Sequence, residues 1–266
     1  MTSVSFRHVT GNDKEHVVES SNPVFGNAPT LKRSPSAAQV EEIFRTPQRL
    51  TMDDIVVKTS MLLGIVLVTG AVAWVADFGP GLVFGAAIAG FVLALVNIFK
   101  RQVSPPLVLA YAACEGVFLG AISHAYNTAY SGIVLQAAVA TSAIFGTVLF
   151  LFSSGRLRAT PRFVKMVTGA FLGLFALLVV NLIVNAFDGS GSGFGLRSGG
   201  GIAILFSIAF IVAGSLTFVL DFDQAQKMVN AGVDERESWR IAFGLVVGLV
   251  WLYLEVLRLL SYLRNN

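Results

Sequence analysis

The sequence predicts an all-α integral membrane protein, a seven-transmembrane helix bundle. Three observations carry this expectation. Only 13% of the 266 residues are charged, against about 25% in a soluble domain. Hydrophobic residues make up 55% of the chain, and the mean hydropathy is +0.72. From Ile55 onward, apolar runs of the length a membrane crossing needs alternate with short polar breaks. Nothing alternates with period two over successive ten-residue segments, which argues against a membrane β-barrel.

Residues 1–50 read as a cytoplasmic, largely disordered tail, separate from a transmembrane domain over 51–266. The tail contains Ser-, Asn- and Pro-rich pieces (ESSNPVFGNAPT, KRSPSAAQ) and no apolar core of a secretory signal. One short helix is expected near 37–44. Ser36 would cap it, and Val40 and Phe44 would share a face on the membrane surface.

Seven spans follow, at about 55–76, 80–99, 105–126, 131–152, 162–187, 200–221 and 240–263. Thr51 and Asp54 form a capping-box pattern before the first span. Ser104 precedes Pro105 and Thr160 precedes Pro161, which puts proline where its missing N–H costs nothing. The glycine-rich GSGSGFG stretch after the fifth span reads as a flexible linker.

Basic residues alternate between the breaks. The tail holds Arg7, Lys14, Lys32, Arg33, Arg45 and Arg49. Lys100 and Arg101 follow span two. Arg156, Arg158, Arg162 and Lys165 surround the break after span four. Lys227, Arg236 and Arg240 mark the break after span six, whereas the breaks after spans one, three and five hold only Arg197. The positive-inside rule then places the N-terminus in the cytoplasm and the C-terminus outside, in the cell's inner (plasma) membrane.

Helices in lipid associate through small residues that let backbones approach. Gly81/Gly85, Gly116/Gly120, Gly169/Gly173 and Gly244/Gly248 have the required spacing on four spans, so a compact bundle is expected.

Charges inside the spans mark candidate sites, since a central acid costs about 2.5–3.5 kcal/mol on insertion scales. Glu115 lies near mid-depth of the third span. It reads either as a proton or cation site, or as a protonated structural acid bonded to Asn97, Gln136, Asn181 or Asn185. Asp221 and Asp223 end the sixth span in VLDFDQAQK. Asp221 shares a helix face with Gln224 and turns inward, whereas Asp223 looks to solvent or to the opposite side. An acid at a helix C-terminus opposes the macrodipole, so a cation such as Lys100, Arg101 or Lys165 should compensate. Glu255 and Arg258 are three apart on the last span and can pair. Glu255 and Asp221 would lie on the order of 20 Å apart in depth.

Other chemistry finds no support. Cys114 is alone, which excludes an internal disulfide framework. His8, His16 and His124 are scattered, and no nucleophile–base set is visible, so neither zinc nor enzymatic activity is expected. No cofactor and no nucleic-acid partner is implied; the bilayer is the expected surrounding.

The seven spans, the LDFDQAQ stretch and a last span reading LVWLYLEVLRLLSYL resemble the Bax inhibitor-1 family. SSNPVF and YAACEGVFLG resemble a bacterial branch with a long tail. The resemblance implies six helices around a central seventh. It also implies a pH-sensitive calcium leak gated by two aspartates near a basic residue after the second helix. Asp221 matches the first aspartate and Lys100 the basic residue. The second aspartate is missing: counting back from LEVLR, its place falls on Gly248, while alignment on LYL puts Glu255 there. Glu115 or Asp223 would then supply the second acid. Two functions follow as expectations. One is a proton-sensitive calcium leak with an Asp221–Lys100 latch at its cytoplasmic mouth. The other is a non-enzymatic regulator that restrains a membrane-anchored protease or another stress-response partner through residues 1–50.

Overall fold

A computed structural model describes residues 49–188, 196 and 200–265. The helix expected near 37–44 and most of the glycine-rich linker, including Arg197, lie outside these residues. Seven helices follow one another: α1 (Met52–Ala76), α2 (Pro80–Phe99), α3 (Pro105–Ala129), α4 (Ile133–Ser153), α5 (Pro161–Asp188), α6 (Gly201–Asn230) and α7 (Ser238–Asn265). All seven are long and apolar enough to cross a membrane. Among the described residues there is no strand.

The helix starts follow the local chemistry. At α1 the Thr51 hydroxyl accepts from Asp54 N at 3.2 Å, and the Asp54 carboxylate accepts from Thr51 N at 3.0 Å. Two N–H groups that a helix start leaves open are thereby satisfied. Thr160 accepts from Phe163 N at 3.3 Å ahead of α5. Ser104 also precedes a proline, but its side chain makes no capping bond, and its carbonyl accepts from Leu107 and Val108 instead. Gly132, at φ 79°, turns the chain into α4, and Asn127 accepts its N–H at 3.0 Å. Only the end of the sixth span departs by more than about a turn. The helix does not stop at Asp221 but continues to Asn230. Hydropathy marks where lipid ends, whereas the helix persists as a polar extension into the next turn. Asp221 is therefore not a terminal residue, and the expected conflict with the macrodipole does not arise.

The closest approach in the fold joins α1 and α3. An added Cβ on Gly116 would stand 1.9 Å from Thr69 Oγ1 and 2.5 Å from the Val66 carbonyl oxygen. One on Gly120 would stand 2.2 Å from the Gly70 carbonyl oxygen. Backbone touches backbone here, as small residues permit in lipid. The other expected pairs behave differently. Nothing lies within 4 Å of an added Cβ at Gly81, Gly85, Gly169, Gly173 or Gly244. These glycines sit where no neighbouring helix approaches closely, so spacing alone misjudged them.

The last helix joins two apolar clusters. Ile241, Leu245, Leu252 and Val256 pack with Ile133 and Ala137 of α4 and with Phe218 and Phe222 of α6. Ala242, Phe243, Val246 and Val250 pack with Leu62 and Val66 of α1 and with Val108, Tyr111 and Ala112 of α3. A helix apolar on several faces has to be covered on several sides. The principal helix approaches to α7 come from α1, α3, α4 and α6, while α2 packs chiefly on α3 and α5 on α6. The outer helices keep large apolar side chains on the surface, among them Phe84 and Phe99 of α2 and Leu182 and Phe187 of α5. Such surfaces suit a hydrocarbon solvent.

Polar bonds pin α7 at three levels. At its start, Arg240 bonds Glu237 at 2.8 Å and donates to the Arg101 carbonyl at 2.7 Å. In mid-helix, Tyr253 OH and Ser123 Oγ of α3 are 2.7 Å apart. Near its end, Arg264 donates to the Ser131 carbonyl at 2.8 Å and to Gln136 Oε1 at 3.0 Å.

Gly120→Ala should destabilise the protein by about 2 kcal/mol or more, because overpacking against backbone typically costs about 1–3 kcal/mol. Gly169→Ala, in open space, should be neutral or stabilise by up to about 1 kcal/mol through helix propensity. Thermal unfolding of both variants in detergent, followed by circular dichroism, checks the contrast.

Candidate functional site

Glu115 stands on α3 against α2. The structure gives it a notch: its Oε2 lies 3.2 Å from where a Cβ of Gly90 would be. Gly90 is buried at that contact, and any larger residue would press on the carboxylate. The acid is half-buried between helices and does not face lipid outright. Two of the amides expected to bond it are engaged elsewhere. Asn97 donates to the Leu93 carbonyl at 2.9 Å, and Gln136 accepts from Arg264.

Asp221 stands on α6, one turn beyond Phe218. It is half-buried, as an inward-turned residue should be. The expected pairing with Lys100 is not formed. Lys100 is exposed at the end of α2, and among the described residues neither side chain makes an ion pair. Arg101 and Lys165 do not compensate Asp221 either. Gln224, expected on the same face, is exposed and reaches along α6 towards Met228. Asp223 does not simply face solvent. It bonds Lys227 at 2.6 Å, one turn on, and is only 25% exposed.

Glu255 and Arg258 form the expected pair at 2.8 Å. Glu255 is 2% exposed, so the pair is internal to the bundle. Neutralising one charge by another is what burial at that level demands.

Gly248 lies against an aromatic ring. An added Cβ would be 2.8 Å from Phe218 Cε1. Phe218 is fully buried and meets Phe145 of α4 edge-on at 5.1 Å between ring centroids. Phe222 continues the group, 5.6 Å from both Phe145 and Phe152. At the position where the resemblance puts a second aspartate, the absence of a side chain admits a phenyl ring. Asp221 therefore has aromatic packing one turn away on its own helix.

A further ionic cluster escaped the sequence reading. Lys58 of α1 bonds Glu235 at 2.7 Å and the Ser238 hydroxyl at 2.6 Å. Its ammonium also lies 5.5 Å from the centre of the Trp239 ring. Ser238 in turn donates to the Glu235 carbonyl. Beside this cluster Leu50 N donates to the Val233 carbonyl at 2.8 Å, and the backbones of Arg49 and Asp234 form an antiparallel β-bridge. The loop between α6 and α7 is thus fastened to the start of α1. One signal was available: a lysine seven residues beyond Thr51, inside an apolar run.

A cavity of about 1020 Å³ lies between α1, α4, α6 and α7, and neither Glu115 nor Asp221 lines it. Among the described residues no three His, Cys, Asp or Glu side chains come together as metal ligands.

Seven apolar helices with charges confined to notches, internal pairs and helix ends define a multi-pass membrane protein. The chain belongs to the Bax inhibitor 1 like family, whose model matches residues 22–265. A search of curated proteins finds no match. The family is not a family of enzymes.

Gly248→Asp should destabilise the bundle by about 1–3 kcal/mol, the usual cost of overpacking, because its Cβ meets the Phe218 ring. Phe218→Ala alone should also destabilise it, by a cavity cost of about 3–5 kcal/mol. Together the two changes should cost less than the sum. A double-mutant cycle on detergent unfolding measures that coupling.

Proposed function

We propose that this protein is a calcium leak of a cell's inner membrane, with Asp221 as the carboxylate that draws the cation and an acid-sensitive cytoplasmic mouth. The observation that carries the proposal is the half-buried Asp221, without an ion pair among the described residues, one turn from the Phe218–Gly248 contact. An ionisable group held in this way inside a membrane bundle serves transport more often than architecture. The aromatic group of Phe145, Phe218 and Phe222 is the apolar constriction that a passing ion has to cross. Small movements of α6 would open it.

The mouth is latched by Lys58 and Glu235 and not by Asp221 and Lys100. Glu235→Gln removes the partner of Lys58 and frees the loop before α7. The other carboxylates of that corner have partners of their own: Glu237 bonds Arg240, Asp223 bonds Lys227 and the Asp234 carboxylate accepts from Arg236 N. Glu115, seated in the Gly90 notch, is the proton-sensitive acid, acting on the α2–α3 contact so that leak rises as pH falls. The face bearing Lys100, Arg158 and Arg240 is cytoplasmic by the positive-inside rule.

A second function, a regulator acting by contact through residues 1–50, is favoured by one observation. Neither Glu115 nor Asp221 lines the cavity between α1, α4, α6 and α7.

Calcium entry into liposomes at several pH values tests the leak. Asp221→Asn should lower flux at every pH, and Glu115→Gln should flatten the pH response. Glu235→Gln, which removes the partner of Lys58, should raise flux at neutral pH. Equal flux and equal pH response for wild type, Asp221→Asn and Glu115→Gln would sink the leak. Removing residues 1–45 and losing a partner protein with flux unchanged would favour the regulator.

A further inference from the structure

The 1020 Å³ cavity lies where α1 and α4 stand apart. Its walls are mostly apolar, among them Val56 and Leu63 of α1 and Leu149 of α4. Its rim is the loop between α4 and α5, which contributes Arg158 and Thr160. This loop and the first turn of α5 carry four exposed cations, Arg156, Arg158, Arg162 and Lys165. Among the described residues none of the four forms an ion pair. The sequence explains why no local partner exists: no Asp or Glu occurs between Glu115 and Asp188. Across the rim, Lys227 already holds Asp223.

We propose that this cavity binds one anionic membrane lipid, its acyl chain between α1 and α4 and its phosphate on the cations of the α4–α5 loop. Two independent features point to the same ligand. An apolar slot between helices suits a hydrocarbon chain and would be costly to leave to water. A cluster of unpaired cations at the level of the headgroups suits a phosphate, and arginine bonds it with two parallel N–H groups. A zwitterionic lipid would fill the slot but bring its own cation to the rim. A free anion would satisfy the rim and leave the slot unfilled. Only an anionic lipid answers both.

Because the slot borders the aromatic group through Phe145, Phe152 and Phe222, its occupant would brace the packing of α4 on α6. The inference therefore goes beyond ion passage. It assigns a structural lipid, whether or not calcium crosses.

The test uses the full chain in detergent, offered phosphatidylglycerol and phosphatidylcholine with identical acyl chains, and reads retained lipid by native mass spectrometry. Wild type should keep one phosphatidylglycerol with about tenfold preference. The double variant Arg156→Gln with Arg158→Gln should lose the preference and still retain lipid of either kind. Leu149→Trp, which fills the slot, should lower retention of both lipids at least fivefold, with Val56→Trp as the replacement if that variant fails to fold. Equal retention of the two lipids by wild type would overturn the proposal. So would undiminished phosphatidylglycerol on the slot-filling variant, which would mean surface attraction alone. Full displacement of the lipid by millimolar inorganic phosphate would also overturn it, since the ligand would then be a soluble anion.

Discussion

The structure depends first on the contact of α1 with α3 through Gly70, Gly116 and Gly120. In lipid the hydrophobic effect does not hold two helices together, because hydrocarbon surrounds them before and after they meet. Close backbone approach supplies dispersion that leucine side chains would prevent. A Cβ at Gly116 or Gly120 would collide with Val66, Thr69 or Gly70. With these two helices fixed, Leu62, Val66, Tyr111 and Ala112 form one wall against which α7 packs. The position of Lys58 follows from the same contact, because it rides on α1 two turns from Val66. Its bonds to Glu235 and Ser238 then locate the start of α7.

Glycine has a second use here, as a vacancy for a group on the neighbouring helix. Gly90 leaves space for the Glu115 carboxylate, and Gly248 leaves space for the Phe218 ring. The two vacancies differ in chemistry. The first shelters an acid from hydrocarbon, and the second excludes water from the junction of α4, α6 and α7. A carboxylate at position 248 would compete with the ring for one volume. The chain's departure from the two-aspartate pattern is thus coupled to its aromatic packing, and the glycine cannot be understood apart from Phe218.

How much of this was legible in the sequence depends on the range of each interaction. The seven helices were visible because apolar length and polar breaks are local properties, as are the Thr51–Asp54 cap and the Glu255–Arg258 pair. The glycine spacing showed where helices are able to approach but not which of them do. Gly116 and Gly120 meet α1, whereas Gly169 and Gly173 meet nothing within 4 Å. Lys58 and Glu235 are 177 residues apart, and no periodicity connects them. The expected Asp221–Lys100 latch rested on both residues lying on one membrane face. That condition is necessary and far from sufficient, since many charges share the face and those that pair take a neighbour within reach. Asp221 also looked terminal because hydropathy was used to end a helix that hydrogen bonding carries on to Asn230.

The charges at that face fall into two groups with opposite habits. Around the start of α1 and the α6–α7 loop, acids and bases are interleaved in sequence and are consumed in pairs: Lys58 with Glu235, Arg240 with Glu237, Lys227 with Asp223. Around the α4–α5 loop only bases are present, and burial cannot neutralise them. The first group fixes geometry, because Lys58 holds the α6–α7 loop to the start of α1. The second group costs nothing while it faces water, and it projects a field that neutral side chains cannot. One corner of the face is therefore built to hold helices in place, and the other to hold something that is not part of the chain.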